Sequence, residues 1–388
     1  MQKYFEALSD MFAGIPEQKR KPLDKGVLLS VCTLSVFGII MIWSASMYNA
    51  GLEGDSLYFV RKQAIFFAIG LVVMLIVSVL DFRSLKTLSN PIMVVALVLL
   101  LILFFLPEGE SSNGAMRWIT LMGVTMQPSE LAKIAVMLFA AYHLARNYDR
   151  IDDPWAFPIV LLFCGAICFL IYKQPALSTA IIVGVIIIGM YFIAGGNFLY
   201  ILALVGIAGT AVYFFITSNE WRLERYYAFL DPFSDIQGDG WQPAQSLMAL
   251  GSGGVLGKGL GNGCAKLGFL PYLENDYIFA VIGEELGLVG CIALLCVYFL
   301  LIFRVAKIAI AAPDTFSRLY CSGMAILLGI QVFLNVAVVT NIMPSTGIIL
   351  PFISSGGSSL ITLMTGMGIV LNISRNKTEN LRYTGGRR

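Results

Sequence analysis

The sequence predicts an all-α integral membrane protein of about ten transmembrane helices, with cytoplasmic N- and C-termini and a long extracytoplasmic loop between helices 7 and 8. Three observations carry this. Hydrophobic residues make up 58% of the 388 and charged ones only 13%. Apolar stretches of the length a bilayer requires recur along the chain, and basic residues gather on alternate connections between them. With a mean hydropathy of +0.81 the chain has too little charge to cover the surface of a soluble domain.

Residues 1–25 form a polar cytoplasmic segment, too long before too extended an apolar run to be a cleaved signal peptide. Within it Tyr4, Phe5, Leu8, Met11 and Phe12 have helical spacing and suit an anchor lying on the membrane surface. The membrane domain follows over 26–374, with spans at 26–48, 63–80, 91–106, 128–145, 156–172, 177–195, 198–217, 277–303, 319–340 and 357–374, and a tail over 375–388. Span 91–106 is short, and 177–195 is bounded by Pro175 and the Gly195-Gly196 pair. Ten spans put both termini on one side. Taking that side as cytoplasmic places 17 Lys and Arg inside, 8 outside and Lys133 within a span, the bias that orients membrane proteins.

Two connections are long enough to expect a function, 107–127 and the outer loop 218–276. The second carries Trp221, Tyr226, Tyr227, Phe229, Phe233 and Trp241 with charges of both signs. It suits either an interfacial lid or a reaction platform.

Several chemistries are excluded. The single histidine, His143, ends the fourth span and reads as a helix cap, so a histidine-based triad or metal site has little to build on. Six of the seven cysteines lie in apolar spans and Cys264 has no partner in its loop, so all read as small hydrophobes. The cluster Gly251-Ser252-Gly253-Gly254-Val255-Leu256-Gly257-Lys258-Gly259 fails the phosphate-loop test, because Ser252 replaces the first glycine and Gly259 follows the lysine.

Ionisable residues at membrane depth are functional candidates, because an unpaired buried charge is expensive. Glu130 and Lys133, three residues apart after Gln127-Pro128-Ser129, make either a structural ion pair or part of a polar cavity. A second group spans Lys266 to Glu285. Asp276 stands where the long loop meets the eighth span, a place where desolvation raises a carboxyl toward a useful base. Glu284 and Glu285 lie two turns deeper and need partners. The third group, Pro344 to Leu360, is so rich in Pro, Gly and Ser that its backbone must be broken or re-entrant, lining protein or a cavity. Three irregular polar segments on one face make a cleft.

These segments resemble the SEDS family of shape, elongation, division and sporulation proteins. The matching motifs, in the family's order, are Gly114-Ala115-Met116-Arg117-Trp118-Ile119, Gln127-Pro128-Ser129-Glu130 with Lys133, Gln174-Pro175, and Gln245-Ser246 through Gly261. They continue with Leu270-Pro271, Asn275-Asp276-Tyr277-Ile278-Phe279-Ala280, Glu284-Glu285-Leu286-Gly287 and Pro351-Phe352-Ile353-Ser354-Ser355-Gly356-Gly357-Ser358-Ser359. Pro-Ser-Thr-Gly and Gly-Ser-Gly-Gly are closer to the FtsW/SpoVE branch than to RodA.

The resemblance implies a peptidoglycan glycosyltransferase that polymerises lipid II at the outer face of the cytoplasmic membrane, working with a class B penicillin-binding protein. It implies lipid II, that transpeptidase and membrane lipids as partners, and no nucleic acid. The family's essential aspartate maps onto Asp276, with Asn275 and Tyr277 replacing Thr and Phe beside it. Asp276 is then the expected general base on the acceptor hydroxyl, with inversion and a β-1,4 product. Arg117, Lys133, Lys258 and Lys266 are expected at the pyrophosphate, with Mg or Mn as a candidate divalent cation. Trp118, Gln127, Ser129, Glu130, Gln245, Ser246, Glu285, Ser355 and Gly356 complete the expected substrate-binding set. Ala176 stands where the family often has aspartate, which removes a carboxylate from that position. A lipid II flippase and a scaffold recruiting the transpeptidase are the rival classes; the scaffold needs no charged cleft.

Overall fold

The computed structural model describes residues 22–52, 55–80, 83–105, 117–121, 124–151, 157–174, 176–217, 220–236, 238–267 and 273–375. The N-terminal surface anchor, Gly114 to Met116, Pro175, Leu270-Pro271 and the tail beyond 375 fall outside them.

Helices occupy every expected span. They are α1 (Lys25–Leu52), α2 (Tyr58–Val77), α3 (Arg83–Ile102), α4 (Pro128–Arg146), α5 (Pro158–Lys173), α6 (Leu177–Ile193) and α7 (Phe198–Thr217). The long loop adds α8 (Glu220–Leu230) and α9 (Trp241–Gly253), and α10 (Ile278–Ile310), α11 (Thr315–Val339) and α12 (Gly357–Arg375) close the chain. Among the described residues six helices (α1, α2, α3, α10, α11 and α12) are long and apolar enough to cross a membrane, while α5, α6 and α7 contribute shorter apolar stretches. The protein is therefore an integral membrane protein of helical class. Among the described residues the one departure from helix into strand is a hairpin of β1 (Ile119–Leu121) and β2 (Val124–Met126), with Thr120 opposite Thr125.

Boundaries moved where hydrogen bonding, and not hydropathy, ends a helix. Arg61 and Lys62 join the first turn of α2, and α3 begins eight residues before Pro91, which it carries in its interior. The helix α4 is the most buried, with Pro128–Glu130 and Ala132–Ala141 all enclosed. Around it, outward-facing Leu162, Phe198, Leu199 and Phe299 are 67–72% exposed, as lipid-facing residues should be.

The chain between α11 and α12 runs back into the bundle without regular structure. Leu350, Phe352 and Ile353 are fully enclosed there, and the Tyr298 hydroxyl donates to the carbonyl of Pro351. Helix α1 admits this segment because position 38 is glycine: a Cβ there would sit 2.7 Å from the Cα of Ile353. Irregular backbone at membrane depth persists only when protein groups satisfy it. Here Gln63 and Asn335 do so, donating to the carbonyls of Ser354 (3.4 Å) and Ile348 (2.7 Å).

Helix α10 is broken at Gly287, where φ is +66° and ψ −168°, a region only glycine occupies comfortably. The break exchanges partners. Leu288 and Val289 would ordinarily donate to the carbonyls of Glu284 and Glu285. They donate instead to Gly254 (3.0 Å) and Val255 (3.1 Å), while Lys258 and Gly259 donate to Glu284 (3.0 Å) and Glu285 (2.9 Å). The glycine-rich loop thus completes the helix's own hydrogen bonding. A Cβ at 287 would fall 2.3 Å from the Gly257 nitrogen. Gly287→Ala is therefore expected to cost at least about 1–3 kcal/mol, read as a lower melting temperature.

Candidate active site

The three irregular segments expected to form a cleft do converge. Asp276 ends the turn that leads into α10, and the re-entrant segment holds that turn by its backbone. The Ser354 hydroxyl donates to the Asn275 carbonyl (2.6 Å), the Ser355 amide to Glu274 (2.7 Å), and Asn335 Nδ2 to the carbonyl of Asp276 itself (2.9 Å). The bonds fix the main chain and leave the carboxyl to the cleft. Gly347, at φ +66°, lies beside it: a Cβ there would stand 3.4 Å from Asp276 Oδ2.

The segment before α4 supplies the cation. Arg117 Nε donates to the Gln174 carbonyl (3.1 Å), two residues from Ala176. The charge of Asp276 supports the protonated guanidinium against the burial that lowers its pKa. Arg225 of α8 also faces this group, and its Nε is 3.8 Å from Asp239. Trp118 follows Arg117 and is exposed beside the hairpin.

Burial raises the Asp276 carboxyl to about 6, with the charge of Arg117 opposing the rise and that of Glu274 adding to it. A carboxyl raised in the folded protein binds its proton more tightly there than in the unfolded chain, where aspartate titrates near ~3.9. The native state then holds more protons between about pH 4 and 6, so Asp276 makes stability fall as pH rises through that window. A base has the opposite need, since it works only when deprotonated.

Glu130 and Lys133 are 2.7 Å apart and both buried, and the Ser359 hydroxyl donates to Glu130 Oε2 (2.7 Å). The Gln127 amide donates to Ser358 Oγ at 3.4 Å. These contacts pin the start of α4 to the start of α12, with Ser129 buried between them and the cleft wall fixed as a result. Ser359→Ala is expected to leave Glu130 with its lysine alone and to cost about 1.5–3 kcal/mol, measured by thermal unfolding in detergent.

Lys258, Lys266, Glu284 and Glu285 form a second cluster deeper along α10. Lys258 Nζ lies 2.7 Å from Glu284, and Lys266 Nζ lies 3.0 Å from Glu285. Glu284 also accepts from the amides of Cys264 (2.8 Å) and Ala265 (3.0 Å). Glu285 accepts from the Gly261 amide (3.0 Å) and from Ser44 of α1 (2.7 Å). The hydrogen bond to Glu284 raises the Lys258 pKa although the lysine is exposed. The close approach that the glycines permit is made against α10. Ser246 donates to the Val339 carbonyl (2.8 Å), tying α9 to α11, and Gln245 beside it is half-buried. The Gly356 amide donates to Gln63 Oε1 at 3.4 Å, so Gly356 joins Ser355 in the re-entrant strap.

Sequence reasoning passed over Ser44, Gln63, Arg225 and Asn335. Of these, Gln63, Ser44 and Asn335 left the one available signal, a polar residue in an apolar run. His143 bonds Asn90 of α3 (3.0 Å) in addition to sitting in the last turn of α4, and all seven cysteines are free. Among the described residues no three His, Cys, Asp or Glu side chains gather as a metal site.

Fold and site define a polytopic helical membrane protein in which a carboxyl, Asp276, and a guanidinium, Arg117, act on each other's charge at one end of the bundle. Residues 25–379 match the family model FtsW/RodA/SpoVE, described as cell cycle protein. The chain is 38% identical over 353 residues to the probable peptidoglycan glycosyltransferase FtsW of Geobacter metallireducens, covering 90% of this chain and 94% of that one. It is 35% identical to the stage V sporulation protein E of Bacillus subtilis, over 92% and 98% of the two chains. A chain from a peptidoglycan synthase complex, in a structure concerned with the coordination of polymerization and crosslinking, superposes with a TM-score of 0.76 at 28% identity, over 91% and 97% of the two chains. The crystal structure of the rod shape determining protein RodA of Thermus thermophilus superposes with a TM-score of 0.68 at 27% identity, over 91% and 96%. The chain belongs to the FtsW/RodA/SpoVE family.

Proposed function

We propose that the protein is a peptidoglycan glycosyltransferase that polymerises lipid II at the outer face of the cytoplasmic membrane. One observation carries the reading: the turn bearing Asp276 is held by its backbone between Asn335 and the re-entrant Ser354 and Ser355, all in family motifs or beside them, with the charge of Arg117 acting on the carboxyl. A base with a pKa near the working pH is largely ionised and still proton-hungry, which suits abstraction from a sugar hydroxyl. The acceptor oxygen then attacks the donor's anomeric carbon as the bond to the pyrophosphate breaks, and inversion gives a β-1,4 linkage. The departing pyrophosphate gains charge, and in this reading Arg117 is the cation that meets it. Lys133, Lys258 and Lys266 act differently in this reading: each is committed to a glutamate and holds a wall.

A divalent cation is the candidate cofactor of this reading, and Asp276 and Glu274 are the residues that would hold it together with the substrate's phosphates. Magnesium and manganese bind one or two carboxylates together with substrate phosphates, and Glu274 is the carboxylate whose charge reaches Asp276. Such an ion would supply further charge neutralisation at the pyrophosphate.

The orientation follows from the basic residues. Asp24 and Arg304 (3.9 Å) and Lys86 and Asp314 (3.2 Å) pair at the end of the bundle opposite Asp276, where Arg146, Lys307 and Arg375 also end their helices. That end is the cytoplasmic one, which leaves Asp276 outside. A class B penicillin-binding protein is the partner in this reading, supported by the likeness to the synthase complex.

Purified protein with labelled lipid II, with and without such a partner, tests the proposal. Glycan strands formed by the wild type and lost in Asp276→Ala are the expected result. Movement of lipid II across proteoliposomes with no strands formed would establish a flippase instead.

A further inference from the structure

At the end of the bundle away from Asp276, a cavity of about 440 Å³ opens between the last turns of α6 and α10 and the first half of α11. Its walls are apolar, with Ile193, Ile302, Ala325 and Ile326 among them, and Ile310 at its edge is 85% exposed. One cation reaches it, Arg318. Arg318 is half-buried, its Nε is enclosed, its terminal nitrogens are left to meet an occupant, and its guanidinium lies 5.3 Å from the centre of the Tyr148 ring. Among the described residues no carboxylate pairs with it. The acid one turn earlier, Asp314, is already used: it caps α11 through the Ser317 amide (3.1 Å) and pairs with Lys86 (3.2 Å). Ser322, the other polar lining residue, donates to the Arg318 carbonyl at 2.8 Å.

A half-buried arginine beside apolar walls, with no carboxylate among the described residues to pair with it, favours an anion. Water alone leaves most of the wall without a partner, because Arg318 and Ser322 are the polar residues among nine that line the cavity. The volume is within the range of small-molecule sites. A ligand that satisfies both features carries an anionic head and an aliphatic body, and the surrounding membrane supplies such molecules. We propose that this cavity binds one anionic phospholipid, its phosphate on Arg318 and an acyl chain between α6, α10 and α11. The leaflet is the one on the side of the α10–α11 turn, cytoplasmic in the orientation given above, and basic pockets between helices on that side suit anionic head groups. Nothing in this argument depends on the reaction at Asp276.

The test uses the full-length protein in mild detergent, with bound lipids counted by native mass spectrometry during titration with phosphatidylglycerol, phosphatidylcholine or glycerol phosphate. One phosphatidylglycerol is expected to bind in preference to phosphatidylcholine, and Arg318→Gln to weaken it at least about ten-fold. Ala325→Trp keeps the cation but fills the groove, and is expected to weaken binding similarly. Lys307→Gln, which changes an exposed basic residue outside the lining, is expected to leave it unchanged. Equal binding of the two lipids would overturn the proposal, as would wild-type binding by Ala325→Trp, which also decides the matter if Arg318→Gln does not fold. Glycerol phosphate competing as well as phosphatidylglycerol would overturn the lipid assignment and leave a simple anion site.

Discussion

Asp276→Asn is expected to slow glycan polymerisation by about 10²–10⁴-fold, the usual contribution of a positioned general base. The same substitution should leave the melting temperature at neutral pH unchanged or slightly raised. Both expectations have one cause. Burial disfavours the ionised carboxyl and raises it to about 6, so at neutral pH the fold carries a charge it would be more stable without. Asparagine keeps the shape and removes the charge. The main-chain bonds from Asn335, Ser354 and Ser355 that shape the turn do not involve this side chain. A structural carboxylate behaves oppositely, losing stability and activity together.

The largest stability effect is expected at Glu285. Its carboxylate is fully enclosed and receives Lys266, itself 7% exposed, together with Ser44 and the amides of Gly261 and Gly263. Glu285→Ala strips four donors of their acceptor and leaves a buried ammonium uncompensated, at a cost of about 3–5 kcal/mol. Melting of the detergent-purified protein measures this. Lys266→Met with Glu285→Gln should recover much of the loss, because the buried charge disappears while an acceptor remains. Lys258→Ala should cost only about 1 kcal/mol: its side chain is 31% exposed, and Glu284 keeps the amides of Cys264 and Ala265. An equal loss for Lys258 and Lys266 would mean that burial does not rank the two pairs.

The apolar runs alone located every helix that fills a predicted span, because a bilayer imposes length and composition on each one separately. Asp276 was legible as one of several carboxyls near the junction of a long loop and a span, and the family resemblance singled it out from Glu274, Glu284 and Glu285. The coming together of Asp276, Arg117 and the re-entrant segment was legible only as three irregular stretches on one face. Pairing was not legible. Lys258 and Lys266 read as free cations because nothing local announces glutamates 19 to 26 residues away as their partners. Ser44 meets Glu285 across 241 residues, beyond the reach of any spacing argument. The exchange of hydrogen bonds at Gly287 was hidden too, since backbone partners leave no trace in side-chain pattern. Its residue was the visible part: glycines at 253, 254, 257, 259, 261 and 287.

The pH dependence of the initial rate of lipid II polymerisation tests the role of Asp276 most directly, compared between the wild type and Arg117→Gln. The wild-type rate should rise with pH through a midpoint near 6, where Asp276 loses its proton. Arg117 holds that value down, so its removal should move the midpoint upward as well as lower the plateau. A wild-type rate that is flat from about one unit below to about two units above the expected midpoint, or a midpoint indifferent to Arg117, would contradict the assignment of Asp276 as the base.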